Sequence, residues 1–336
     1  NQEKKNPYDR ALFPDADEPT RVIIGSAQNP ESLEAATIKA AWLDECGQKD
    51  FKREAWDACE RRGTIHKARY LLTTTVYCLG WLKSEIYDPW AKGSEDIDVI
   101  QFDSTLNPAF TEEEFERLRV KMPSWKFDMQ HRGLFSRPAG LIYDKFDSDH
   151  VIPPRELPSE WPRYWGGDFG VNNMAAVWKA YDPKTGDVYT YRDYLKGNLS
   201  TFEHVSNFLE LSGSNEDPPR ERFAIRVGGA PGEEGWRGDF TQAGWRIEKP
   251  MIGDVEAGIQ KVYGLEALGK HWVFNTCLDY LDEKRTYSRE LNDSYQPTDR
   301  IERKEWFHCM DADRYVTGNL RTASVGGSRG PSVFRW

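Results

Sequence analysis

Apolar positions along this chain come in short blocks, and the blocks differ in rhythm. Residues 21–27 (RVIIGSA), 36–43 (ATIKAAWL), 70–75 (YLLTTT) and 97–102 are brief apolar runs bounded by polar residues, and they predict strands. Residues 51–62 and 111–122 predict helices, the second with Thr111 as N-cap and Glu114 completing a capping box. Residues 1–20 are polar, carry Pro7, Pro14 and Pro19, and read as a loop. The stretch 144–162, with Pro153, Pro154, Pro158 and Pro162 among scattered charges, reads as a linker. Beyond it three strands are predicted at 163–168, 174–181 and 188–194, the last two joined by the turn sequence 182–187 (DPKTGD). A helix begins near Ser200, where Glu203 makes another capping box, and a fourth strand covers 223–227. Residues 245–248, a helix from Asp254, a strand at 271–274 and further helices complete the chain, with a low-complexity tail at 324–330 expected to fray.

Composition narrows the classes. A chain of 336 residues suits two domains, and 38% hydrophobic with 13% aromatic residues is enough for a sizeable core. No apolar run is long enough to span a bilayer, and no basic start with an apolar core reads as a signal peptide. The five cysteines (Cys46, Cys59, Cys78, Cys277, Cys309) are odd in number with no pair two residues apart, which argues against a structural zinc site or a secreted disulfide framework. A net charge of −10 argues against a generic nucleic-acid coat protein. It leaves room for a nuclease, whose carboxylate cluster is itself acidic while nucleic acid follows a local basic groove.

The order in the second half is three antiparallel strands, a helix, a fourth strand, then alternating helices. Asp168 closes the first strand ahead of Phe169-Gly170, Glu233 and Glu234 follow the fourth, and Asp311 lies on a late helix. This order resembles the ribonuclease-H-like nuclease fold, in which acidic residues from those places converge at one sheet edge. Carboxylates suit that chemistry, since two hard cations about 3.5–4 Å apart clamp the attacking and leaving oxygens of a phosphodiester. Taken singly, an Asp before Gly is most often a turn residue, adjacent glutamates are most often a solvated loop, and a helix Asp is most often a surface charge. The shared topological placement is what raises the set. Two lookalikes fall away. Asp168-Phe169-Gly170 matches the kinase magnesium tripeptide, but His131-Arg132 is followed by Gly133 rather than Asp. Gly264 to His271 nearly fits a phosphate loop, but His271 stands where Ser/Thr should touch magnesium, and 255–268 reads as an amphipathic helix.

In the first half, an apolar strand closes on Asp44 and Glu45, the pair by which nucleotide-hydrolysing motors hold ATP-magnesium and activate water. Trp42-Leu43-Asp44-Glu45, Thr73-Thr74-Thr75, Asn107-Pro108-Ala109-Phe110, Gly166-Gly167-Asp168-Phe169-Gly170, Gly228-Gly229-Ala230-Pro231-Gly232-Glu233 and Asp311-Ala312-Asp313-Arg314-Tyr315 run in one order across residues 21–315. Together they resemble the tailed-bacteriophage terminase large subunit. That resemblance implies an α/β chain holding the C-terminal part of a P-loop-type ATPase domain (1–143), a linker (144–162), a ribonuclease-H-like nuclease domain (163–320) and a flexible tail (321–336). It implies Asp168, Glu233 and Asp311 as catalytic metal ligands for Mg2+ or Mn2+, with Glu234 or Asp313 as further candidates. It implies Asp44 and Glu45 at ATP-magnesium in an intact ATPase, and Thr74 and Thr75 in the coupling loop. The implied partners are duplex DNA, the portal protein, a small terminase subunit and further copies of the chain, in the host bacterial cytoplasm and transiently at the prohead portal, with no membrane. Val76 stands where the family commonly has Pro, and no phosphate loop precedes Asp44, so the chain reads as the C-terminal part of a longer protein. The alternatives are a ribonuclease-H-fold transposase or resolvase, which needs no ATPase half, and a decayed packaging protein retaining only a docking surface.

Overall fold

The computed structural model describes residues 10–13, 20–35 and 37–320, so the tail expected to fray and most of the segment expected as an N-terminal loop lie outside the described residues. The chain divides into two compact units, Asn1–Pro138 and Ala139–Trp336.

The first unit is built around β3 (Ala40–Asp44), α1 (Arg53–Gly63) and β4 (Arg69–Thr73), with β3 and β4 paired in parallel. A preceding antiparallel pair, β1 (Arg10–Phe13) and β2 (Thr20–Ile23), falls partly in the segment read as a loop. The small core gathers Leu43, Cys46, Trp56 and Trp81, with the two indoles stacked at 5.7 Å. Three helices follow, α2 (Asp88–Ala91), α3 (Glu112–Lys121) and α4 (Ser124–Arg132). Thr111 caps α3 by accepting from the Glu114 amide at 3.2 Å, but the reciprocal half of the expected capping box is not made: the Glu114 carboxylate accepts from Arg117 at 2.6 Å instead. The expected strand at 97–102 also fails. Its backbone pairs with no strand among the described residues, and Ile100 stands 82% exposed. Apolar content there found no sheet face to cover it, which is the usual way a short run misleads.

The second unit is a six-stranded sheet with helices on both faces. Its strands are β5 (Val151–Ile152), β6 (Arg163–Asp168), β7 (Met174–Tyr181), β8 (Val188–Lys196), β9 (Phe223–Gly228) and β10 (His271–Phe274), in the order β5-β10-β8-β7-β6-β9. β6, β7 and β8 form an antiparallel meander, and β9 lies parallel to β6. The strands expected at 163–168, 174–181, 188–194 and 223–227 are all present. The helices are α5 (Thr201–Ser212), α6 (Glu234–Gln242), α7 (Val255–Ala267), α8 (Leu278–Thr286) and α9 (His308–Thr317), with a hairpin of β11 (Arg289–Leu291) and β12 (Pro297–Ile301) before the last. The capping box expected at Ser200 and Glu203 is complete.

Every residue of β7 is buried, as a strand covered on both faces requires. The strand period of two divides the side chains between two cores. Tyr164, Ala175 and Val177 join α7, α8 and α9 on one face, while Trp165, Ala176 and Trp178 join Phe208, Phe240 and Trp245 on the other. The stretch 144–162 is not a linker. Phe146 is buried in the first of these cores, Leu157 and Trp161 pack against it, and β5 extends the sheet beside β10. Its prolines interrupt regular structure, but its apolar residues still cover the sheet edge, and proline content alone did not reveal that.

Gly166 sets the distance between sheet and helix. A Cβ there would stand 2.4 Å from the Ala312 carbonyl oxygen and 2.7 Å from the Val316 Cβ, so α9 lies directly on the β6 backbone. Gly166→Ala should therefore force the helix outward and destabilise the second unit by about 2–3 kcal/mol, read as a lowered urea midpoint. A midpoint equal to the parent's would show that the helix is not held at this distance.

Candidate functional site

β6 and β9 run parallel, so their C-terminal ends open at the same edge of the sheet, and α9 begins above that edge. Asp168 is the last residue of β6. Its Oδ2 lies 2.9 Å from His308 Nδ1, at the start of α9. Burial pushes the Asp168 carboxyl above its ordinary range, and the Asp311 and Glu233 charges push the same way against the His308 hydrogen bond.

Glu233 is placed by the loop after β9. Gly229 takes the left-handed conformation at φ +74° and donates to the Gly167 carbonyl at 3.0 Å, turning the chain back across the strand ends. Ala230 then donates to Glu233 Oε2 at 2.6 Å. Arg237, reaching back from α6, donates to the carbonyls of Gly228 and Ala230 at 3.0 and 2.9 Å and locks the loop. Glu234 turns outward instead, toward Arg237 and Lys249 at 3.2 and 3.5 Å.

Asp311 lies in the first turn of α9 and is held by two cations. Lys304 Nζ reaches both its oxygens, at 3.0 Å to Oδ1 and 2.7 Å to Oδ2, while Arg314 donates from Nε and Nη2 to Oδ1 alone, at 3.2 and 2.5 Å. Tyr315 senses all three acids. Burial pushes its hydroxyl up to about 12, and the charges of Asp311, Asp168 and Glu233 add to that. Residues remote in sequence thus share one electrostatic neighbourhood. Among the described residues, however, no group of three or more His, Cys, Asp or Glu side chains stands where it could jointly hold a metal ion. The donors are hard oxygen ligands of the right kind for magnesium or manganese, but each is bound to a neighbour of its own.

Asp313, a further candidate ligand, belongs elsewhere. Two residues beyond Asp311 on a helix, it faces away from the edge and into the core. There it pairs with Lys179 at 2.8 Å and Lys284 at 3.5 Å and accepts from Tyr280 and Thr317. Lys284 in turn binds Glu266 at 2.5 Å, which faces His271 at 3.3 Å, and all five ionisable side chains are fully buried. Burial pushes the Asp313 carboxyl up, but the two ammonium groups outweigh it and hold the carboxyl well below its ordinary range. Burial and the Lys179 charge push His271 down to about 4, so its imidazole is neutral at pH 7. The near-miss phosphate loop is thereby explained: α7 is a packed helix, and Glu266 and His271 are parts of this buried network.

In the first unit, the register of β3 and β4 pairs Asp44 with Thr73, whose hydroxyl donates to Asp44 Oδ1 at 2.7 Å while accepting from Trp42 Nε1 at 2.7 Å. Glu45 follows in the left-handed conformation at φ +55°. Thr74 Oγ1 accepts from the Gly47 amide at 2.9 Å and donates to the Thr75 carbonyl, tying the turn after the acidic pair to the threonine segment. No site role was expected from sequence for Thr73, His308, Lys304, Arg314 or Tyr315, although Thr73, Arg314 and Tyr315 stand in the quoted motifs. His308, Asp311 and Arg314 are spaced by three, which puts them on one helix face and was available as a signal. Lys304 carried none.

A six-stranded mixed sheet packed between helices, with acids at the edge where β6 and β9 end, defines an α/β protein. No protein-family model matches the chain. It is 25% identical to the terminase large subunit of Salmonella phage P22 over 288 residues, 83% of this chain and 54% of that protein. It is also 25% identical to the terminase large subunit of Enterobacteria phage LP7 over 215 residues, 61% of this chain and 43% of that protein. The chain spans about half the length of the curated relatives it matches. Among solved structures, the large terminase of a thermophilic bacteriophage covers 86% of this chain and 70% of its own, at 19% identity and a TM-score of 0.47. The chain is thus similar in sequence, over 83% and 61% of its length, to two terminase large subunits, the family that its motifs resemble. No helix among the described residues is long and apolar enough to cross a membrane.

The buried network makes a sharp forecast. Asp313→Asn leaves two buried ammonium groups short of a counter-charge and should cost about 3–5 kcal/mol in urea unfolding; a loss below about 1 kcal/mol would place Asp313 outside the core. His271 gives a pH signature. Its folded pKa is depressed to about 4 against an ordinary value of 6.5, so the stability it confers is full above about 6.5 and is lost as pH falls toward 4. Between pH 7.5 and pH 5 that loss should be roughly 2 kcal/mol. The pH dependence of His271→Asn should be flatter by that amount, and parallel curves for parent and variant would contradict the assignment.

Proposed function

We propose that the second unit is a divalent-metal-dependent nuclease for duplex DNA, acting in phage genome packaging, with Asp168, Glu233 and Asp311 as its metal-binding carboxylates. The carrying observation is that Asp168 ends β6 beside His308 at the start of α9, Asp311 lies in the first turn of that helix, and the loop carrying Glu233 turns back across the same strand ends, so that the charges of all three acids bear on Tyr315. The named relatives support the biological setting. A bound Mg2+ or Mn2+ would supply Lewis acidity and a water nucleophile at neutral pH. The chain's own part is to hold anionic oxygens at the edge, with His308 orienting Asp168 and Arg314 orienting Asp311. Glu233 rather than Glu234 belongs to this set, because Glu234 points to solvent beside Lys249. In an intact ATPase Asp44 and Glu45 would serve ATP-magnesium and Thr74 and Thr75 the coupling loop. Portal protein, small subunit and further copies would be its partners at the prohead in the host cytoplasm.

Magnesium- or manganese-dependent plasmid nicking tests this reading. Asp168→Asn, Asp311→Asn and Glu233→Gln should each lower nicking by at least about a hundredfold, while Glu234→Gln should stay within about threefold of the parent. Parental rates in Asp168→Asn and Asp311→Asn would reject the site. The structure also separates the two aspartates in stability. The raised Asp168 pKa means the fold favours its neutral form, so Asp168→Asn should keep or slightly raise the melting temperature. Relief of repulsion among the acids would by itself predict the same of Asp311→Asn. Its two cations reverse that expectation: the variant deprives the buried Arg314 of its anion and should lose about 1–3 kcal/mol.

The first unit generates a separate expectation. No Gly-x-x-x-x-Gly-Lys-Ser/Thr sequence stands ahead of Asp44 in these 336 residues, and that sequence is the source of the backbone amides and lysine that cradle phosphates. The chain by itself should release no phosphate from ATP above background, and magnesium-dependent release abolished by Glu45→Gln would overturn this.

A further inference from the structure

The two cations on Asp311 differ in kind. Arg314 is 2% exposed, sits on α9 itself three residues along, and bonds only Oδ1. Lys304 is 40% exposed and lies on the short turn Lys304–Trp306, outside α9. That turn opens on Arg303 in the left-handed conformation at φ +49°, with its guanidinium 4.4 Å over the Trp306 ring. Among the described residues, Lys304 alone donates to Asp311 Oδ2. Withdrawing the lysine would therefore free one carboxylate oxygen while Arg314 kept the other and held the group in place. A lysine ammonium on a long flexible stem is suited to that exchange, whereas a buried guanidinium fork is not.

We propose that Lys304 is a displaceable internal cation that occupies the Oδ2 position of Asp311 until a divalent metal ion takes it, with Arg314 as the fixed positioning residue for the same carboxylate. This rests on the reading of Asp311 as a metal ligand. In this state Lys304 closes the Asp311 end of the edge while His308 holds Asp168, and a hard divalent ion enters by competition with Lys304. The latch lowers apparent metal affinity without altering the ligands, so loading responds to whatever draws the Lys304–Trp306 turn away.

Binding of Mn2+ alone to the intact chain, without DNA, tests the exchange by calorimetry. Lys304→Met keeps the methylene packing and removes the charge, and it should tighten Mn2+ binding about three- to tenfold. Lys304→Arg, which restores a cation, should bind close to the parent. The gain must disappear in Lys304→Met combined with Asp311→Asn. Unchanged or weaker Mn2+ binding by Lys304→Met overturns the proposal, as does a gain that survives loss of Asp311. The nuclease reading fails on a different observation, parental nicking by Asp168→Asn, so the two failures cannot be confused.

Discussion

The contact on which the second unit depends is the seating of α9 against the bare backbone of β6 at Gly166. With no side chain between them, the helix rests on the strand and its first turn overhangs the strand's end. Asp168 is then within reach of His308, and Asp311 is brought into the field of Asp168 and Glu233. A larger residue would lift the helix and separate acids that only the close approach brings together.

The same helix carries a second set of charges on its inner side, and the two sets have different work. Asp313, Lys179, Lys284, Glu266 and His271 are sealed in the core, two cations against two anions and a neutral imidazole. Such a network holds α9 in rotation and register, since any slip would strand a buried charge. Asp311, only two residues earlier, lies at the partly open edge, and its partners include a lysine with access to solvent. A helix fixed from within can present a carboxylate outward without that carboxylate having to hold the helix.

The loop after β9 uses a different device. Arg237 grips two carbonyls of the turn, and Gly229 supplies the backbone conformation that lets it fold over the strand ends. Neighbouring glutamates are thereby sorted, one to the carboxylate edge and the other to solvent. In the first unit, parallel pairing likewise sorts three consecutive threonines: Thr73 meets Asp44, while Thr74 meets the turn beyond Glu45.

The sequence by itself determined where the strands of the second unit lie, the helices capped at Thr111 and Ser200, the helical nature of the false phosphate loop, and the acids at strand ends. These are local matters, carried by hydrophobic period, turn chemistry and capping residues within a few positions of one another. It misjudged 97–102 and 144–162 because an apolar run or a proline-rich one declares nothing about whether a sheet face is waiting for it. The tertiary structure alone decided that Asp313 belongs to the core and Glu234 to solvent, and that Asp311 is bound by Lys304 and Arg314. Those outcomes depend on helix phase and on partners far along the chain. Lys179 lies 134 residues before Asp313, and no local pattern could announce that the two share a buried pocket.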